Sequence, residues 1–349
     1  MEKILVVDFN GTSPVYTHYF SEGLITPDRK VEVLGVKKSK FLDVFSDHMV
    51  YRGIKCKFKS LGYIVNWLWL LMNSNKYDVI IIQWLQLIRY SRFEVYLIQF
   101  LQSRNNLFYV AHNLYPHRHS SEKVRRNFDH LYRVTNKIAV HTTQLQNKIL
   151  DITGPRKIYR AYHGLFFHDS KLDSNLFKKN SCIMIGYIAK YKGIEDAIEV
   201  VKLLREQGYI IDLQIIGAGP KSYINDLKKK ITSYNLDHQI KIIGAEISST
   251  KLVSIIQKVS MVWLPYKKIS QSGVSYSSIG LKKPFVAYDV GNFKSEFGVL
   301  GVAEIAEPGD ISDFSDRVKK VMNNSSFYKE NIVKAYENFS WKRNESLLN

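Results

Sequence analysis

The stretch Cys182-Ile183-Met184-Ile185-Gly186-Tyr187 decides the fold. Four apolar residues run without a break and stop at a glycine. An uninterrupted apolar run of this length reads as a strand buried on both faces, the kind found in parallel sheets. A helical segment follows over 195–207. The rhythm then repeats: Leu213-Gln214-Ile215-Ile216-Gly217, a helix over 221–233, a strand at Ile240–Ile243, and a helix over 249–258. Strands at Met261–Leu264 and Phe285–Tyr288 flank a helix over 273–281. Strands alternating with helices give a doubly wound α/β domain, expected over 181–330.

Upstream the same pattern recurs. Apolar strands are expected at 4–7, 78–83, 107–112 and 137–141, with a helix over 93–102. A second doubly wound domain therefore occupies 1–165. The join falls near Tyr162-His163-Gly164-Leu165. Residues 166–180 read as a polar linker, and 331–349 as a C-terminal helix returning to the first domain. In open parallel sheets ligands bind beyond the carboxyl ends of the strands, so two such domains are expected to face each other across a cleft.

Composition excludes several classes. The chain has 349 residues, 45% of them hydrophobic and 23% charged, which rules out wholesale disorder. Two cysteines, Cys56 and Cys182, cannot supply a disulfide framework and suit a reducing compartment. The N-terminal apolar run is too short for a signal peptide. The longest apolar stretch, 61–72, is too short to span a bilayer, which needs about 20 residues. The expected location is cytoplasmic, against the inner face of the cell membrane.

The net charge of +18 asks for a polyanionic partner. Residues 51–160 hold 18 Lys/Arg and 5 Asp/Glu, so +13 of the excess sits there. The cations are interleaved with Tyr51, Phe58, Tyr63, Trp67, Trp69, Trp84, Tyr90 and Phe93. Basic residues beside aromatics fit an anionic membrane interface. Trp67 and Trp69, with Arg118, are the expected membrane or acceptor side, although both tryptophans also fit a plain core. No nucleic-acid-binding motif occurs.

The motifs of the C-terminal half come in a specific order: Gly186-Tyr187-Ile188-Ala189-Lys190-Tyr191-Lys192-Gly193, Ile216-Gly217-Ala218-Gly219-Pro220, Leu264-Pro265-Tyr266, Gln271-Ser272-Gly273-Val274, and Lys283-Pro284-Phe285-Val286-Ala287 with Gly291 beyond. Phe339-Ser340-Trp341 follows near the end. This series resembles the family 4-like glycosyltransferases of GT-B fold, in particular those of bacterial surface-polysaccharide synthesis. The resemblance covers nearly the whole chain.

That resemblance implies a metal-independent hexosyltransferase with no cofactor. The donor would be a UDP- or GDP-linked sugar, and the acceptor a lipid-linked or membrane-proximal glycan for capsule, exopolysaccharide or O-antigen. Lys192 matches the family's phosphate-binding lysine, and Lys190 is a candidate for a second charge. Ser272, Gly273 and Val274 open a helix whose N–H groups suit phosphate oxygens. Gly186, Tyr266, Gln271 and Ser278, with Gly11 and Thr12 after the first strand, complete the expected donor set. Retaining relatives carry paired glutamates where this chain has Ser270 or Gln271 and Ser277 or Ser278, which leaves the stereochemical outcome open.

In the first half, Val110-Ala111-His112-Asn113-Leu114-Tyr115-Pro116-His117 resembles a turn of the same enzymes. It makes His112 the candidate general base or sugar contact. His117 and His119 read as solvated, and the spacing 112, 117, 119 fits no common zinc pattern. Gly164 matches the interdomain hinge. Two alternatives share the architecture: a nucleotide-sugar epimerase, and a binding protein that has lost its chemistry.

Overall fold

The computed structural model describes residues 1–35, 50–52, 59–116, 121–170 and 178–348. Arg118, His117, His119, Cys56 and Phe58 lie outside them. The chain divides into two compact units, one of residues 1–164 and 340–349, the other of 165–339.

The first unit holds strands β1 Glu2–Asp8, β2 Arg29–Gly35, β3 Val50–Arg52, β4 Val79–Ile82, β5 Asn106–Ala111, β6 Lys137–Val140 and β7 Ile158–Arg160. They form one parallel sheet in the order β3-β2-β1-β4-β5-β6-β7. Its helices are α1 Pro14–Glu22, α2 Lys59–Asn73, α3 Phe93–Gln102, α4 Glu122–Val134 and α5 Thr143–Thr153. The second unit holds β8 Ser181–Ile185, β9 Asp212–Ile216, β10 Ile240–Ile243, β11 Met261–Leu264, β12 Phe285–Tyr288 and β13 Ala303–Ala306, parallel in the order β10-β9-β8-β11-β12-β13. Between and after them run α6 Ile194–Glu206, α7 Lys221–Ser233, α8 Ser249–Lys258, α9 Gly273–Gly280, α10 Ile311–Asn323 and α11 Ser325–Ala335.

Each sheet has one topological switch point, where successive strands stop adding on one side and start on the other. In the first unit it lies between β1 and β4; in the second, between β8 and β11. The loops after those strands diverge there and leave a crevice at the carboxyl ends.

The domain boundaries differ from those expected. Leu165, Phe166 and Phe167 are buried in the second unit, so these three are core, while His168 and Asp169 after them are exposed. The reason is local: the backbone of Phe166 fills the space that a side chain at Gly280 would take, and its ring lies against Gly273. α11 also belongs to the second unit, and only 340–349 returns to the first. There the Trp341 indole lies against Gly164 and the Trp341 backbone carbonyl against Gly23, and a Cβ at either glycine would come 2.3 Å from these atoms. Buried Asn344 fixes this tail by exchanging two hydrogen bonds with the backbone of Tyr162, at 2.8 and 2.9 Å. Gly164 thus ends the first unit for lack of a side chain.

Candidate functional site

At the second unit's switch point the loop after β8 turns at Gly186 (φ +105°), passes Ile188 and forms a short turn over Lys190–Lys192. This brings the Lys192 side chain back under Gly186. Lys192 is only 8% exposed. Its Nζ donates to the Tyr266 hydroxyl at 2.7 Å and lies 4.0 Å from that ring's centroid. Tyr266 follows β11, so the two sides of the crevice meet at this pair. Among the described residues no carboxylate pairs with Lys192. Burial holds its ammonium down to about 8. A buried cation without a counter-ion is costly to keep unless an anion arrives to complete it.

The donors for such an anion converge. Ser272 caps α9, its Oγ accepting from Val274 N at 3.3 Å, and its hydroxyl is near enough to the Tyr266 hydroxyl to oppose the rise that burial gives that phenol's pKa. The first-turn N–H groups of a helix have no intrahelical acceptor and carry the positive end of the dipole. Gly186, Tyr187, Ile188, Lys192 and Tyr266 line one small pocket. Lys192, Tyr266 and Ser272 are therefore brought together, with Gly186, Gly273 and Val274 beside them.

The glycines around the pocket are present because backbone meets backbone. A Cβ on Gly217 would sit 1.9 Å from the Gly186 carbonyl oxygen, one on Gly219 2.6 Å from that of Ile188, and one on Gly193 1.8 Å from that of Pro265. Three loops from three strands are stacked at van der Waals contact, which fixes where Lys192 emerges.

Other expected donor residues fall elsewhere. Lys190 is exposed on the outer side of its turn and does not line the pocket. Gln271 donates from Nε2 to the Tyr276 hydroxyl at 2.7 Å, which in turn donates to Glu296. Ser278 is a correction. It is fully buried beyond the first turn of α9, and its hydroxyl donates to the Lys283 carbonyl at 2.8 Å, so it serves the helix end and not the crevice.

In the first unit the loop after β1 is organised by buried Asp8. Its carboxylate accepts from Thr12 N at 2.7 Å, Ser13 N at 3.1 Å and Thr17 Oγ1 at 3.2 Å. Burial nevertheless raises its pKa above the usual carboxylate range. Gly11, at φ +62°, makes the turn possible. Across the switch point His112 follows β5. It stacks on Trp84 with centroids 4.1 Å apart, and meets Tyr16 edge-on at 4.7 Å. His112 Nε2 is enclosed without a hydrogen-bond partner. His141 accepts from the Tyr16 hydroxyl at 2.9 Å and donates through Nδ1 to the Ala161 carbonyl. His163 completes the cluster, 5.7 Å from His141. Burial, then the neighbouring imidazoles, pushes the His112 pKa well below its ordinary value. At pH 7 the ring is neutral, with one donor and one acceptor nitrogen. Tyr16, Trp84, His141 and His163 were not foreseen as partners of His112; they come from four separate loops and helices.

Trp67 is the second correction. It is buried, stacks on Phe9 at 4.4 Å and donates Nε1 to Glu94 at 3.1 Å. Glu94 is itself sealed and accepts also from the Tyr63 hydroxyl and Ile88 N. An indole locked to a buried carboxylate cannot reach a membrane. Trp69 is partly buried and packs against the same core.

Residues 169–338 match the family profile described as "Glycosyl transferases group 1". The chain is 28% identical over 160 residues to a 2-deoxystreptamine N-acetyl-D-glucosaminyltransferase of Niallia circulans, covering 45% of this chain and 40% of the relative. It is 23% identical over 174 residues to Protein CapJ of Staphylococcus aureus, covering 49% and 43%. The matches thus span less than half the length of these curated relatives. Among solved structures, Anabaena HepE in complex with UDP and glucose superposes with a TM-score of 0.73 at 14% identity, over 100% of this chain and 98% of that one. Sucrose-phosphate synthase from Thermosynechococcus elongatus gives 0.70 at 12%, over 100% and 97%. The likeness shows the fold, two Rossmann-like units of GT-B type.

Proposed function

We propose that this chain, whose residues 169–338 carry a Glycosyl transferases group 1 domain, is a hexosyltransferase. It takes a sugar from a nucleoside-diphosphate donor and passes it to a lipid-linked or membrane-proximal glycan of a surface polysaccharide. The observation that carries the reading is Lys192, a buried ammonium that has no carboxylate partner among the described residues, beside a helix N-terminus. A diphosphate supplies the missing charge, and the cation stabilises it as leaving group. The complex of HepE with UDP and glucose supports a UDP-linked donor, and the likeness to an N-acetyl-D-glucosaminyltransferase supports transfer of a hexosyl unit. Lys192, Tyr266, Ser272 and the α9 N-terminus hold the diphosphate.

His112, enclosed at Nε2 and neutral at pH 7, contacts the acceptor or relays its proton. His112→Ala is expected to lower kcat by about 10²- to 10⁴-fold. Nucleotide affinity, measured by equilibrium titration, is expected to stay within twofold, because the other unit supplies the phosphate contacts. Equal losses in affinity and kcat would count against this role.

The overall reading is tested with a panel of UDP- and GDP-sugars, following nucleotide release. Turnover with one donor, lost in Lys192→Ala, is expected. No turnover with any donor, or turnover indifferent to Lys192→Ala, contradicts it.

A further inference from the structure

Eight of the 17 exposed large apolar side chains among the described residues fall within 61–100. They are arranged in rows. On α2, Leu61, Ile64, Leu68 and Met72 follow helical spacing and face outward, Met72 at 79% exposure. On α3, Phe93, Tyr96 and Phe100 do the same, with Tyr90 just before the helix. The opposite stripes, including Trp67 and Leu70 on α2 and Val95 and Ile98 on α3, pack into one core cluster, so both helices cover the same face of the sheet. Buried Glu94 of α3 ties them together through Tyr63 and Trp67 of α2. The result is two outward apolar rows on helices that cover one face of the sheet. Scattered apolar residues need no explanation, but a contiguous patch marks an interaction site.

The rim is cationic. Arg89 and Arg92 are exposed at the start of α3, and Arg104 at its end lies 4.3 Å over the Phe100 ring. Lys123, Arg125, Arg126 and Arg133 are exposed on α4, which packs beside α3. From 60 to 75 the sequence holds no charge at all. Of the acids nearby, Glu94 is buried, Asp78 accepts from Lys3 N, Asp129 accepts from the Tyr115 hydroxyl, and exposed Glu122 lies 3.8 Å from Arg126. A second copy is a poor occupant, because pairing two such faces sets arginines against arginines. An anionic bilayer matches both parts, the acyl boundary meeting the apolar rows and the headgroups meeting the arginines.

We infer that the α2–α3 face of the first unit docks on an anionic membrane surface, inserting Leu68, Met72 and Phe93 and holding headgroup phosphates with Arg89, Arg92 and Arg104. The inference rests on the membrane-proximal part of the proposed function, and flotation tests it with no donor present. A chain that turns over donor yet stays off vesicles overturns the docking face alone. A chain that floats without turning over donor overturns the transferase reading alone.

The experiment is flotation of the full chain with vesicles of phosphatidylcholine and phosphatidylglycerol, against phosphatidylcholine alone. The wild type is expected to float with the anionic vesicles and to dissociate in high salt. The combined variant Leu68→Gln, Met72→Gln, Phe93→Gln is expected to lose at least tenfold in partitioning, with nucleotide binding and melting temperature unchanged. Arg89→Gln with Arg92→Gln is expected to remove the preference for the anionic lipid. Three results overturn the proposal: no flotation of the wild type, flotation of the triple variant equal to the wild type, or a dimer in light scattering that the triple variant abolishes.

Discussion

Lys192→Met is expected to remove transferase activity and, at the same time, to raise the melting temperature. The loss comes from the donor side. Deleting a buried charge partner of a ligand costs about 2–5 kcal/mol, so kcat/KM is expected to fall by about 30- to 5,000-fold. The gain comes from the free protein. Lys192 is buried with only a phenol hydroxyl, a ring face and a distant carbonyl around it. Replacing a buried ion by an apolar side chain of similar volume stabilises by about 1–4 kcal/mol in comparable cases.

The pH dependence fixes the cause. Burial lowers the Lys192 pKa from an ordinary 10.5 to about 8. Below pH 8 both folded and unfolded states carry the charge, and the folded state bears the full cost. Between 8 and 10.5 the unfolded chain binds more protons than the folded one, so stability rises with pH. The advantage of Lys192→Met in thermal melts is therefore largest at pH 7 and shrinks as pH rises through that window. An advantage independent of pH would assign the gain to packing. A lower melting temperature at pH 7 would show that the cation is satisfied within the free protein.

Gly193→Ala is expected to destabilise the second unit more than any change of a surface residue. Gly193 sits at φ +65°, a region that costs other residues about 1–2 kcal/mol. Its new Cβ would also fall 1.8 Å from the Pro265 carbonyl oxygen, which is backbone and cannot rotate away. Overpacking adds about 1–3 kcal/mol or more. Together these correspond to roughly 10 °C in melting temperature for a unit of this size. Nucleotide affinity should fall in parallel, because the displaced loop is the one that delivers Lys192 against Tyr266 of the Pro265 strand end. Gly208→Ala is the control. Gly208 also has positive φ, but nothing lies within 4 Å of its Cβ position, so only the backbone cost remains. Equal losses in the two variants would show that the stacking of the β8 and β11 loops is not tight.

Much of this arrangement is legible in the order of residues. An apolar run ending in glycine, then a lysine before a helix, is a local pattern, and β8, Gly186 and Lys192 follow from it. Tyr266 after β11 is readable for the same reason. What fails is whatever depends on partners distant in sequence. Trp67, one of the aromatics interleaved with cations, is expected at the membrane or acceptor side or in a plain core; the core holds it, because its indole acceptor, Glu94, lies 27 residues on and is itself buried. Ser278 enters the donor set as one of the positions where retaining relatives carry a glutamate, yet it lies beyond the first turn of α9 and its hydroxyl donates to the Lys283 carbonyl.

Four strands were not expected: β3 and β7 are only three residues long, and the other two escaped for a related reason. β2 carries Glu32 and β13 carries Glu304 in the middle of short runs, which reads as solvent-facing alternation. Both are buried. Glu32 accepts from Arg52 and Tyr77, and Glu304 from Arg317 and Tyr328. The membrane face shows the reverse. The charge block was visible as a sum, but which apolar residues stay outside could be decided only once α2 and α3 had chosen their inner stripes.

The central claim is that Lys192 is the cation a donor diphosphate completes. Calorimetric titration with UDP and with GDP at pH 8.5, in two buffers of different ionisation enthalpy, tests it most directly. At that pH most Lys192 side chains are neutral in the free protein, given a value of about 8. Binding of the diphosphate that fits should draw in most of one proton, and the uptake should vanish in Lys192→Met. Nucleotide binding with no proton uptake, or with the same uptake in Lys192→Met, would contradict the claim.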